Sequence, residues 1–300
     1  MRSNRGSFRH LGIVVVFLFS SAATRAQTAS PAATPSPPPK ASASPSLEED
    51  FFKNILRDQK AIWTSPAHFN GSDAKWVIPV GLATAGFIAT DRETGDAMAK
   101  HTGQLDASRI ISYAGSAYAL GGAAASFYLI GRATHNQRAR ETGILSAEAL
   151  INSGIVVTVI KEITQRARPQ TGPDRSKFFV GGSSFPSGHS IAAWSVATVV
   201  ANEYHDHLAV QIAAYGIASA VSVSRYTGLH HYLSDVLVGG AMGYGIGRYV
   251  YRAHHRSNSN STGGDEEDEE TLSRSRAIPA IEPLYNRRAH DYGLALAWSF

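Results

Sequence analysis

Six apolar segments, 76–90, 110–131, 144–160, 190–202, 208–224 and 233–251, fill most of the middle of this chain and constrain its fold more than any other feature. They are poor in the alternating β-branched patterns of strands, so the core reads as all-α, a bundle of six main helices. Only 110–131 is both long and entirely uncharged; the others are shorter or carry polar residues such as Glu148, Asn152 and Asp235. Ala and Gly recur throughout, and Gly239, Gly243 and Gly247 repeat at four-residue spacing, a pattern that lets two helices approach closely.

The ends of the chain differ from this middle. Arg2, Arg5 and Arg9 precede the apolar run Leu11 to Phe19, and small residues lead to a cut site after Ala26, so 1–26 reads as a secretory signal. Its rival is an uncleaved anchor, although the run is shorter than the ~20 residues a spanning helix needs. Residues 27–46 are a Pro/Ala/Ser-rich linker without large apolar side chains. Phe51, Ile55, Leu56, Ile62 and Trp63 then fall at helical spacing, an amphipathic helix that lies on a membrane or caps the core. The main domain is placed at 47–256, followed by a polar and acidic linker, 257–276. In 277–300, Tyr292, Leu294, Leu296, Trp298 and Phe300 alternate with small residues, a strand-like tail able to form a short hairpin.

Charge narrows the possible partners. The formal net charge is +4, and the acidic run Asp265 to Glu270 leaves the rest of the chain at about +10. Such an excess suits phosphate-bearing substrates, an anionic membrane surface or nucleic acid. The absence of cysteine excludes disulfides, thiolate nucleophiles and cysteine-bound zinc.

Three polar stretches interrupt the apolar segments. In Phe185-Pro-Ser-Gly-His-Ser190 a loop becomes a helix, and a helix N-terminus offers free N–H groups to an anion beside His189. Lys161 and Arg168-Pro169 close the third segment; on a continuous helix they would share a face about 10 Å apart, although Pro169 disfavours helical geometry at Arg168. The third stretch, Ser224-Arg225 to His230-His231 and Asp235, sets His231 and Asp235 four apart, so a helix starting there brings carboxylate and imidazole together. Taken singly these are a capped helix, cations on a helix C-terminus and a solvated His–Asp pair. Together they supply cations and N–H groups for a phosphate and two histidines for proton and phosphoryl transfer.

The chain resembles the type 2 phosphatidic acid phosphatase superfamily in all three stretches: Lys161 with six residues before Arg168-Pro169, Pro186-Ser187-Gly188-His189, and Ser224-Arg225 with five residues before His231 and three before Asp235. The resemblance covers about 47–256. It implies a six-helix bundle shared with bacterial acid phosphatases and vanadium haloperoxidases. It also implies His231 as nucleophile, His189 as acid for the leaving group, Asp235 as the residue orienting His231, and Lys161, Arg168, Ser187, Gly188 and Arg225 as phosphate binders. Spacing selects His231 over His230. In the phosphatase branch no metal or other cofactor is required. The wording of the second and third motifs is similar to the lipid-phosphatase branch, which implies a phosphatidate, phosphatidylglycerophosphate or isoprenyl diphosphate substrate and no nucleic-acid partner. The alternatives are a soluble periplasmic acid phosphatase, a haloperoxidase, or an inactive protein that binds anionic lipid.

Arg132, Arg138 and Arg140 in one loop, and Arg248, Arg252 and Arg256 at the end of the sixth segment, read as cytoplasmic. All three motifs then face outside the cytoplasm, in the cell envelope of a bacterium, on a membrane-integral or membrane-associated domain. A cleaved signal followed by six full spans would put them inside instead, so either 76–90 does not span, or the signal is misread, or the bundle is soluble or peripheral.

Overall fold

The computed structural model describes residues 47–255 apart from 69, 101 and 102, and the backbone of two strands near the C-terminus. The expected signal, both linkers and part of the tail fall outside these residues. Eight α-helices occur among the described residues: α1 (Leu47–Thr64), α2 (Gly71–Ala99), α3 (Leu105–Ala114), α4 (Ala117–Ala133), α5 (Gln137–Thr164), α6 (Gly188–Glu203), α7 (Leu208–Thr227) and α8 (Leu233–His254). Strands β1 (Ala280–Asn286) and β2 (Asp291–Ala297) pair antiparallel, with Asn286 opposite Asp291.

The core is helical, as expected, but the number of helices differs from six. The expected amphipathic helix is α1, and 110–131 is broken into α3 and α4, so the six main segments give seven helices beside it. The break has a local cause: Ser116 is extended, at φ −69° and ψ 150°, and its side chain accepts a hydrogen bond from the Ala119 N–H, which caps a new helix. Gly115 before it lies so close to α7 that a Cβ would stand 2.2 Å from Val221 Cγ1.

α6 is the central helix. One side packs Ala193, Val196 and Ala197 against Leu120 of α4 and Ala218 and Val221 of α7. Its other side packs Ile191 and Val199 against Leu145, Ala149 and Val156 of α5 and Ile246 and Val250 of α8. The glycine ladder explains how α8 comes so near: a Cβ on Gly239, Gly243 or Gly247 would lie 2.7, 2.3 and 2.3 Å from the carbonyl oxygens of Ser187, Ile191 and Ser195. These partners rise one turn at a time in the same order, so α6 and α8 run parallel. Their N-termini therefore share one end of the bundle.

The outer surface is strongly apolar. Trp76 and Leu82 of α2, Tyr118 of α4, Ile151, Ile155 and Val159 of α5, and Ile212 and Ile217 of α7 are all exposed, Tyr118 by 94%. α1 buries the polar Asn54 and Asp58 beside Leu47 and Ile55, while Phe52 and Leu56 are exposed. Among the described residues two helices, Gln137–Thr164 and Leu208–Thr227, are long and apolar enough to cross a membrane.

Candidate active site

The site is built where four helix ends meet. α5 stops at Thr164 because Gln165 takes the left-handed conformation, φ 43°, with its N–H returning to the Lys161 carbonyl. Lys161 thus occupies the last turn of α5, while Arg168 lies beyond the helix. The helix does not continue to Arg168, as Pro169 suggested, and a loop, not a helical repeat, brings the two together. That loop folds back on itself through Gly182 N–H to Gln165 O at 2.9 Å and Ser184 N–H to Arg166 O at 2.8 Å. Only glycine fits at 182, since a Cβ there would meet Arg166 O at 2.1 Å. Lys161 Nζ donates to the Ser183 carbonyl at 2.6 Å, and Arg168 reaches the Ser183 hydroxyl at 3.4 Å.

The same loop leads, through a cis Phe185–Pro186 peptide, to the start of α6. Ser187 is fully buried and caps this helix, accepting from the Ser190 N–H at 3.5 Å, and Gly188 is its first residue. The first-turn N–H groups of a helix lack intrahelical acceptors, so they are free to hold an anion. His189 follows, half-buried. Ser187 N–H donates to the Asp235 carbonyl at 2.9 Å, which ties the start of α6 to the start of α8.

Arg225 lies buried in the last turn of α7, and its carbonyl accepts the N–H groups of both His230 and His231 at 3.1 Å. Its own Nε is buried without a hydrogen-bond partner. His231 is only 2% exposed, and its Nδ1 is 2.7 Å from the Ser184 carbonyl. A carbonyl only accepts, so Nδ1 carries the proton and Nε2 keeps its lone pair. Asp235 stands 3.6 Å from Nδ1, an ion-pair distance and not a hydrogen bond. Its carboxylate instead takes the Ser184 hydroxyl at 2.5 Å and the Tyr232 N–H at 2.9 Å. Ser184 thus links the two, its hydroxyl on Asp235 and its carbonyl on the His231 ring.

Two residues that the sequence did not single out complete this arrangement. Arg166, fully buried, bridges Asp235 at 2.6 Å and Asp91 of α2 at 2.8 Å, and also donates to Ser234 Oγ at 2.6 Å. Its guanidinium lies over the rings of Phe178 and Tyr232, 4.7 and 4.5 Å from their centroids. A signal was present in Asp91, an ionisable residue directly behind the apolar segment 76–90. Arg166 was masked by its place inside the Lys161 to Arg168 stretch, among other charges.

The electrostatics follow from burial among cations. Burial pushes His231 down to about 4, with Lys161 and Arg225 adding to that and Asp235 opposing it. His189 is also pushed down to about 4, by burial first and then by Arg225, His231, His230 and Lys161. Burial alone would raise the Asp235 carboxyl, but His231 and Arg166 outweigh it and hold the group below its usual range. Near neutral pH the free site thus presents neutral imidazoles beside the guanidinium of Arg225.

Parts of the chain are similar to known proteins. Residues 143–259 match the PAP2 superfamily. The match contains every residue of the three motifs and bears out the resemblance drawn from them. Over 70 residues the chain is 37% identical to a lipid A 1-phosphatase of Porphyromonas gingivalis, an alignment covering 23% of this chain and 16% of that protein. The chain thus spans only about a sixth of that relative's length. Two solved structures are similar. One, a transmembrane PAP2 type phosphatidylglycerolphosphate phosphatase from Bacillus subtilis, has a TM-score of 0.45 at 24% identity, over 68% of this chain and 94% of its own. The other, Aquifex aeolicus LpxE, has a TM-score of 0.42 at 19% identity, over 55% of this chain and 93% of its own.

Proposed function

We propose that this PAP2 chain is a phosphatase that hydrolyses the phosphate ester or diphosphate of a membrane lipid, with His231 as nucleophile. The observation that carries this reading is the meeting of Lys161, Arg168, Arg225, the α6 N-terminus and two neutral histidines at one end of the bundle, with Arg225 Nε buried and unpartnered. His231 Nε2 attacks phosphorus as the bond to the lipid oxygen breaks, and His189, in the imidazolium form that the bound phosphoryl anion favours, gives its proton to that oxygen. Water then attacks the phosphohistidine, His189 takes a proton from it, and the phosphorus–nitrogen bond breaks to release phosphate. Lys161, Arg168 and Arg225, with the N–H groups at Ser187 and Gly188, neutralise and orient the transferred group. Asp235, through Ser184, keeps the His231 proton on Nδ1.

A lipid substrate is supported by the exposed apolar faces of α2, α4, α5 and α7 and by the outward Phe52 and Leu56 of α1. Phosphatidate, phosphatidylglycerophosphate, an isoprenyl diphosphate and a lipid A type sugar phosphate all present the same terminal phosphoryl group. The catalytic end is assigned to the extracytoplasmic side, since the arginines of α4, α5 and α8 lie at the other end. The test is phosphate release from these lipids and from a water-soluble aryl phosphate, in detergent with chelator, using His231→Ala as control. At least tenfold preference for one lipid supports the proposal. Equal or better hydrolysis of the soluble ester identifies a soluble-type acid phosphatase instead, and turnover by His231→Ala near the parent rate removes the nucleophile assignment.

A further inference from the structure

At the end of the bundle opposite the catalytic residues, the start of α5 and the ends of α6 and α8 bring together Glu141, Glu203 and His255, whose ligand atoms all lie within 4.8 Å of one another. Glu203 Oε2 is 3.3 Å and Glu141 Oε2 3.9 Å from His255 Nδ1. Glu203 is only 4% exposed, yet its Oε2 makes no hydrogen bond, and neither does His255 Nδ1. Two buried atoms that face each other without bonding are costly unless a third group satisfies both.

The neighbouring groups are engaged elsewhere. Gln137 Nε2 donates to Glu141 Oε1 at 2.8 Å, leaving Oε2 of that carboxylate facing the imidazole. Arg138, a neighbouring cation, gives its Nε to the Glu203 carbonyl at 2.9 Å and its Nη1 to Asp206 at 3.0 Å, and lies over the Tyr204 ring. The His255 ring is stacked on Tyr251 with centroids 4.5 Å apart, which fixes its plane. Ligand atoms about 2.1 Å from a tetrahedral zinc stand roughly 3.4 Å from one another, and the His255 imidazole is 3.3 and 3.9 Å from the two carboxylates here.

We propose that Glu141, Glu203 and His255 form a binding site for a divalent transition metal, zinc or manganese in kind, that ties α5, α6 and α8 together. One imidazole and two carboxylates suit such an ion better than magnesium, which takes oxygen ligands and keeps its waters. The site is separate from the hydrolytic residues, and the reaction does not pass through it.

The test uses the untagged full chain in detergent, stripped with chelator and titrated with zinc against a chromogenic competitor, with magnesium in parallel. The parent is expected to bind one equivalent that Glu203→Gln and His255→Ala each weaken at least ~100-fold. Glu148→Gln, which alters the other buried His/carboxylate group of Asp58, Glu148 and His254, keeps that equivalent. X-ray absorption on the zinc-loaded parent, which needs no variant to fold, is expected to show one imidazole with oxygen ligands. No tight equivalent in the parent, unchanged binding in both variants, loss on Glu148→Gln, or a shell of two or more imidazoles would each overturn the proposal.

Discussion

Replacing Arg166 by Ala removes the one cation that Asp91 and Asp235 share. All three side chains are fully buried, and the contacts are 2.6 and 2.8 Å. Removing one partner of a buried ion pair costs about 3–5 kcal/mol, because the other charge stays behind unpaired. Here two carboxylates are left behind, along with the unoccupied space between Phe178 and Tyr232, so a loss near the upper end of that range is expected. At 2–4 °C per kcal/mol for a domain of this size, thermal unfolding in detergent should fall by roughly 10–20 °C. Turnover should drop by about 100-fold or more at temperatures where the variant is still folded, since Asp235 and Ser184 position His231. Arg166→Lys keeps a charge but cannot bridge both carboxylates or lie flat between the rings, so it should recover only part of either loss. In the double variant Arg166→Ala with Asp91→Asn, one stranded charge is gone, and the two effects should fall short of additivity by ~1–3 kcal/mol. An Arg166→Ala protein that melts within about 3 °C of the parent and turns over within twofold of it would refute this reasoning.

The remaining predictions concern proton transfer, packing and the tail. Because His189 and His231 are both lowered to about 4, the proposed nucleophile His231 is neutral above that pH while the acid form of His189 grows scarce; under the proposed mechanism kcat/KM should therefore fall as pH rises from 5 to 8. A bound phosphoryl anion favours the imidazolium of His189, so the alkaline limb of kcat should lie at higher pH than that of kcat/KM, and coincident limbs in the two profiles count against His189 as the acid. Gly243→Ala puts a Cβ 2.3 Å from the Ile191 carbonyl and should cost about 1–3 kcal/mol in unfolding, whereas Gly245→Ala, with nothing within 4 Å, should be neutral or stabilise by up to ~1 kcal/mol. Equal melting of the two variants would dismiss the glycine ladder as a packing device. Deleting 277–300 should leave hydrolysis intact, and lost turnover in a folded truncation would assign the tail a part in catalysis.

The helical class of the core was legible from apolar segments without strand alternation, and the candidate chemistry from residues that sit close together in the chain. Ser187-Gly188-His189 and His231 with Asp235 are local patterns, and local spacing along a helix start survives whatever the rest of the chain does. Less was legible at breaks. Nothing in the uncharged run 110–131 outweighs its helical pattern, and it is the approach of Val221 together with the Ser116 cap that divides it.

Sequence by itself determined which groups are candidates to act on a phosphate, because charge, chemical type and motif spacing belong to the residues. Only the tertiary structure decided how they are held. The loop that returns from Gln165 to Ser184 sets Lys161 beside Arg168, turns the Ser184 carbonyl to His231, and seats Arg166 between Asp91 and Asp235, residues 144 positions apart. A carbonyl oxygen carries no sequence identity, and a buried ion pair between distant helices leaves no periodicity. Their energies depend on burial and distance, which exist only once α2, α5, α6 and α8 have packed.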